Sequence, residues 1–179
     1  VHSKMLSRLT GISIFLKLEN LQMTGSFKER GALNRILTMT DDERRQGVIA
    51  ASAGNHGQGV AYHATQRDIP AQIWMPRLTP LIKLSATRGY GADVVLHGDS
   101  YDEACEAAIE RSVQKRATFI HPFDDDDVIA GQGTIGLELL QQNPELDVIV
   151  VPVGGGGLIG GIGCAVKERS ARVEVVGVQ

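Results

Sequence analysis

Short apolar runs alternate with amphipathic stretches along most of this chain, and polar or glycine-rich turns separate them. Ile12–Leu18 is mostly apolar and predicts a strand, closed by the turn-like Glu19-Asn20. Ser26 with Glu29 three residues on is a capping-box pattern, so a helix is predicted from Phe27 with Leu33, Ile36 and Leu37 as its buried stripe. After a polar turn at Asp41–Arg45, strands are predicted at Val48–Ser52, Ala71–Met75, Asp93–His97, Thr118–Ile120, Asp147–Val151 and Val173–Val178. Helices are predicted at Asn55–Gln66, Pro80–Arg88, Tyr101–Lys115, Asp127–Gln142 and Leu158–Glu168. The clearest amphipathic pattern is Tyr101–Lys115, with Tyr101, Ala104, Cys105, Ala108, Ile109 and Val113 on one side.

Strands and helices recurring at roughly 20 to 25 residues indicate right-handed βαβ units and a mostly parallel sheet. The strands are apolar runs rather than alternating ones, as sheets covered on both faces require. The expectation is a three-layer α/β fold. Polar runs near Gly47 and Asp124–Asp127 interrupt the alternation and mark lobe boundaries.

Composition removes several function classes. A net charge of −3 and 4% aromatic residues give no footprint for nucleic acid. No apolar run approaches the ~20 residues of a membrane helix, and no signal peptide is visible. Cys105 and Cys164 have neither metal spacing nor the density of a disulfide scaffold, so a reducing cytoplasm is the default expectation. The chain starts at Val1 and stops at Gln179 directly after a strand-like run, and a fragment or truncated product is expected.

Three segments carry candidate chemistry. Gly154-Gly155-Gly156-Gly157 follows an apolar strand and opens a helix, so N–H groups and the helix dipole converge on an anion site suited to phosphate. Gly155 to Gly160 also satisfy G-x-G-x-x-G, but the dinucleotide reading needs an acidic residue about 20 positions on, at the end of the next strand. That strand ends Val176-Gly177-Val178-Gln179. Ser52-Ala53-Gly54-Asn55-His56-Gly57 again joins a strand to a helix start, where free N–H groups can hold a carboxylate; equally, Asn55 or Ser52 can serve as a cap. His56 reads as a capping or structural histidine rather than a general base. His2, His63, His97 and His121 have no partner at motif spacing and read as incidental. Lys28, near a helix start, feels the positive dipole end; with partial burial this favours a neutral amine able to form a Schiff base. Standing alone, it reads as a solvated lysine paired with Glu29 or Glu19. Glu29 and Arg30 read as surface or lobe-contact charges, and Asp124–Asp127 as a solvated helix start rather than a metal site.

Taken together, Gly25-Ser26-Phe27-Lys28-Glu29-Arg30-Gly31-Ala32, Ser52-Ala53-Gly54-Asn55-His56-Gly57-Gln58-Gly59, Gly131-Gln132-Gly133-Thr134 and Gly154-Gly155-Gly156-Gly157-Leu158 resemble the fold-type II (tryptophan synthase β-like) pyridoxal-phosphate enzymes, in particular the serine/threonine dehydratases. The resemblance implies that Lys28 joins the cofactor covalently, Phe27 packs on its ring and Asn55 bonds its phenolic oxygen. It implies phosphate binding by Gly154, Gly155, Gly156 and Gly157, with Leu158 beside them. Ser52, Ala53, Gly54, Asn55 and His56 would line the substrate carboxylate site, and no metal site lies in these residues. Residues 1–46 and 128–179 would contribute to a large cofactor domain that is incomplete here, and 47–127 would form a small α/β domain. The implied reaction is β-elimination of L-threonine or L-serine to a 2-oxo acid and ammonia, in a homo-oligomer (dimer or tetramer). A serine racemase or threonine synthase-like activity and a non-catalytic truncated paralogue are the alternatives. Serine racemases carry a serine where this chain has Ala53, and threonine synthases usually a threonine where it has His56.

Overall fold

The computed structural model describes residues 1–179 as two parallel sheets wrapped by helices. Strands β1 (Val48–Ala51), β2 (Ala71–Met75), β3 (Asp93–Leu96) and β4 (Thr118–Phe119) form one sheet in the order β3-β2-β1-β4. Strands β5 (Val148–Pro152) and β6 (Glu174–Val178) form the other, Val150 opposite Val176. The helices are α1 (Lys4–Thr10), α2 (Lys28–Leu37), α3 (Asp41–Gln46), α4 (Asn55–Thr65), α5 (Leu81–Gly89), α6 (Tyr101–Lys115), α7 (Asp126–Gln142) and α8 (Gly157–Arg169).

β1 is buried along its whole length. Because successive side chains point to opposite faces, Val48 and Ala50 join the large core with Ile73, Val60 and Ala64, while Ile49 and Ala51 meet Ala108 of α6. That is the expected three-layer arrangement. A second core of Ile135, Ile149, Val151, Ile162, Val166 and Val173 lies between α7, α8 and the smaller sheet. The smaller sheet still exposes Val150 (65%) and Val178 (55%).

Close crossings of three helices set the middle of the molecule. A Cβ on Gly31 of α2 would lie 2.7 Å from the Val128 carbonyl oxygen, and one on Gly131 of α7 would lie 2.6 Å from that of Arg30. Further along α7, a Cβ on Gly133 would lie 2.8 Å from the Gly161 carbonyl of α8. These are backbone atoms and cannot swing aside, so glycine is required sterically.

Several expectations are corrected. Ile12–Leu18 is not a strand. It has one antiparallel bridge, Phe15 to His2, with the Ser3 N–H donating to Ile14 and the Leu16 N–H to Val1, and Ile12 and Phe15 are exposed. Helix α1, which had no counterpart in the sequence reading, is capped by Ser3 and closed by left-handed Gly11. The Ser26–Glu29 capping box does not form. Glu29 is buried and accepts from the Thr24 N–H (2.9 Å) and hydroxyl (3.1 Å), and α2 begins at Lys28 rather than Phe27. On α2 the buried face is Gly31, Ala32 and Ile36, with Leu37 52% exposed. On α6 it is Ala104, Ala108 and Ser112, with Ile109 and Val113 exposed. Ile36 is buried as the periodicity marks it, but elsewhere on both helices contact at short range selects small residues over large ones.

Arg30 is not a surface charge. It forks onto Glu19 (2.7 and 2.9 Å) and Glu138 (2.6 and 2.9 Å) and also donates to Thr134, with Lys17 completing the group on Glu138. The network ties the N-terminal segment to α2 and α7. Hydrogen bonding to Arg30, ahead of its other partners, holds the Glu138 carboxyl down at about 2.

Two glycines of one helix give a test of the crossings. Gly161→Ala should destabilise by about 1–3 kcal/mol or more, since its Cβ would meet the Ile129 carbonyl and the Gly133 nitrogen. Gly163→Ala has nothing within 4 Å and should stabilise by ~0.5–1 kcal/mol. Urea unfolding of the two variants beside the parent checks both signs.

Candidate active site

The Ser52–His56 turn and the glycine loop lie at the carboxyl ends of the parallel strands β1 and β5, where open α/β sheets offer their crevices, and the lysine loop enters from the N-terminal segment. Gly25, at φ +71°, turns the chain before α2. Ser26 then accepts a hydrogen bond from the Lys28 N–H at 3.2 Å, and Lys28 becomes the first residue of α2. Its Nζ donates to the Pro122 carbonyl at 2.6 Å and lies 5.4 Å from the Phe27 ring centroid. Burial lowers the pKa of this amine, so more of it is neutral at a given pH than for a solvated lysine.

After β1, Ser52 accepts from the Gly54 N–H at 3.1 Å and shapes a tight turn into α4. Gly54 is the cap residue and supplies no side-chain cap, so the first N–H groups of α4 keep their donor capacity. Asn55 is exposed at this helix start, and Ala53 packs against the large core. His56 behaves differently from its neighbours. Its ring is only 3% exposed, and Nε2 lies 2.9 Å from the Ile120 carbonyl. A carbonyl only accepts, so Nε2 carries the proton and Nδ1 is left as a buried acceptor without a partner. Burial, ahead of the neighbouring Lys28 and His121 charges, holds this imidazole at about 4. The ring is therefore neutral and committed to the fold, which leaves only its main-chain N–H for a ligand.

After β5 the chain runs through Gly154–Gly157 into α8. Gly156 caps that helix at φ +89°, in the left-handed region, with no side-chain cap on the free N–H groups. A Cβ at Gly154 or Gly156 would meet nothing within 4 Å, whereas one at Gly155 would overlap the Phe123 ring and one at Gly157 would stand 2.7 Å from the Phe123 carbonyl. Alternate glycines thus face open space and a wall. Leu158 and Phe27 both pack against the smaller core, which brings the glycine loop and the lysine loop to one place.

The sequence reading missed the wall itself. Ile120–Phe123 connects β4 to α7, receives both His56 and Lys28 on its carbonyls, and lays Phe123 against the glycine loop. His121, read as incidental, accepts from the Phe123 N–H (3.3 Å) and the Asp124 N–H (2.8 Å) and turns the chain into α7, which Asp125 caps. Its signal was positional: a His-Pro pair at the end of a parallel strand, just before a helix cap. A concavity of about 630 Å³ lies elsewhere, between the N-terminal segment and α7, and holds none of these residues.

Residues 1–179 match the pyridoxal-phosphate dependent enzyme family throughout. The chain belongs to that family. It is 55% identical over 178 residues to an L-threonine ammonia-lyase of Thermotoga maritima, covering 99% of this chain and 44% of that protein. Among solved structures it resembles the processed form of threonine deaminase isoform 2 of Solanum lycopersicum (TM-score 0.96, 42% identity, 99% of this chain and 49% of that one). A serine racemase of Dictyostelium discoideum is also similar (TM-score 0.93, 39% identity, 99% of this chain and 58% of that one). The chain spans about half the length of the curated relatives it matches.

The residues present fit the family's cofactor. Gly154 and Gly156 leave room beside the uncapped start of α8, where an anion is stabilised, and an amine with lowered pKa stands across the same wall.

The buried histidine sets an acid limit on stability. The folded chain keeps His56 neutral down to about 4, while the unfolded chain takes up a proton below about 6.5. Its contribution is complete above 6.5 and is lost as pH falls toward 4, a change of about 3 kcal/mol. His63 and His121, also lowered chiefly by burial, add to the same slope. Urea midpoints measured between pH 7 and pH 4 should fall steadily, and His56→Gln should flatten the fall.

Proposed function

We propose that this chain carries the lysine and phosphate-binding parts of a pyridoxal-phosphate-dependent ammonia-lyase acting on L-threonine, L-serine or both. The observation that carries the reading is the convergence of Lys28, the glycine loop and His56 of the Ser52–His56 turn on the Ile120–Phe123 wall, with Gly154 and Gly156 left facing open space. The names of the relatives support the substrate class: one is an L-threonine ammonia-lyase, and another is a threonine deaminase.

When bound, pyridoxal phosphate supplies an electron sink for a carbanion at the amino-acid Cα. The remaining tasks fall to this chain. Gly154–Gly157 and the first N–H groups of α8 hold a phosphate, and Leu158 backs them. Asn55 offers an amide to a phenolic oxygen, and Phe27 an apolar surface to an aromatic ring. The Ser52–His56 turn presents N–H groups to a carboxylate, which orients the Cα–H bond. Lys28, partly neutral, serves as nucleophile toward an aldehyde and as the base that takes the Cα proton on one face. Ala53 has no proton to deliver to the opposite face, which favours elimination over racemisation. The products are a 2-oxo acid and ammonia. A pocket that accepts one extra methyl separates threonine from serine by only ~1–3 kcal/mol, so both are candidate substrates.

Residues 1–46 and 128–179 belong to the cofactor lobe in this reading and 47–127 to a small lobe. The protein acts as a cytoplasmic homo-oligomer, dimer or tetramer, with neither nucleic acid nor membrane as partner. The half-length match supports a second reading, in which these residues hold the cofactor and turnover requires the rest of the relatives' length.

Pyridoxal phosphate added to the chain should give an absorbance band near the visible edge that borohydride reduces onto Lys28. Lys28→Ala should abolish it, and a wild-type chain that forms no band would remove the proposal. A Cβ at Gly156 is strained by its left-handed backbone, so Gly156→Ala should weaken cofactor affinity about tenfold, a cost of ~1–2 kcal/mol, read by titration of the same band.

A further inference from the structure

We propose that His56 is a positioning residue for the Lys28 amine, acting through the main chain of Ile120–Pro122; this rests on the ammonia-lyase reading for its purpose but not for its mechanics. Four holds fix the segment. The Ile120 N–H donates to Ile49 at 2.8 Å and continues the β4 ladder. The Ile120 carbonyl accepts from His56, the Pro122 carbonyl accepts from Lys28, and His121 ties down the following N–H groups. Only His56 and Lys28 reach in from other helices, and their acceptors lie two residues apart. Pro122, whose own carbonyl is the second acceptor, has a restricted φ and no N–H, so one of the few torsions between the two carbonyls is fixed. Rotating the first therefore moves the second.

The chemistry suits this division. A base directed at one face of a substrate needs its amine held at a defined place, and a carbonyl receiving one N–H does that without adding charge. A neutral donor holds the carbonyl without itself shifting the protonation of Lys28. His56 is such a donor, with Lys28 and His121 the titratable groups facing it, and Asp124 and Asp125 facing His121 in turn. An orphaned Nδ1 in the interior costs stability, so the ring is a poor choice as mere filling.

Three variants separate this role from general support of the fold. His56→Gln keeps an N–H at the reach of Nε2, His56→Asn falls short of it, and His56→Leu removes the donor. Two quantities are read on each: the rate of imine formation between Lys28 and pyridoxal phosphate, and the affinity for pyridoxine phosphate, which has no aldehyde. His56→Leu and His56→Asn should slow imine formation about tenfold while the affinity stays within about twofold, and His56→Gln should restore the rate. An unchanged rate in both slow variants, a parallel loss of rate and affinity, or failure of His56→Gln to rescue would each overturn the proposal. Should His56→Leu not fold, His56→Asn carries the comparison. Hydrogen exchange at the Ile120, Phe123 and Asp124 amides adds an arm independent of the cofactor. It should quicken in His56→Asn and not in His56→Gln; equal exchange in all three proteins overturns the proposal. A wild-type chain that forms no imine but shows this exchange pattern would sink the ammonia-lyase reading and leave the mechanical link standing.

Discussion

Backbone-on-backbone contact between α2, α7 and α8 governs the distances on which the site depends. Lys28 is the first residue of α2, the glycine loop is the entrance to α8, and α7 separates the two helices. Gly31 against Gly131, and Gly133 against Gly161, bring the three axes closer than any side chain would allow. The lysine and the glycine loop come from points far apart in the chain, so no local pattern can fix their separation. The crossings fix it, and the Arg30 fork onto Glu19 and Glu138 ties α2 to α7 and to the N-terminal segment.

The polar groups nearest the site are neutral or carry depressed basicity, for one physical cause. His56, His121 and Lys28 are all lowered chiefly by burial. The charges that balance Arg30 lie on the far side of α2, where carboxylates are hydrogen-bonded in place. The fold thus places strong ion pairs where they hold helices together. Beside the amine it places carbonyls and neutral rings, where a fixed charge would bias its protonation.

Legibility in the sequence followed the range of the interactions. The βαβ alternation, all six strands of the two sheets and the glycine loop rest on local signals, and each appeared within a residue or so of where it was expected. Periodicity failed where a long-range partner decided the outcome. Leu37 and Val113 have the right spacing but the wrong size for helices packed at short distance. Ile12–Leu18 has strand composition but joins neither sheet, meeting only a single bridge to His2. Glu29 was drawn from its capping role by Thr24, which sits behind a left-handed glycine that no pattern announces. At the site, Lys28 and the glycine loop were legible because their chemistry is unusual. Ile120–Phe123 was not, because it works through carbonyl oxygens, which every residue has.

The two-stranded sheet carries a consequence for how the chain behaves in water. Val150 and Val178 stand exposed on β-branched strands that have one paired side each. A ladder with vacant N–H and C=O groups and an apolar face is a template for another strand. Covered, it is a core in waiting. Bare, the same two strands make this end of the polypeptide the place where strand-to-strand association would begin.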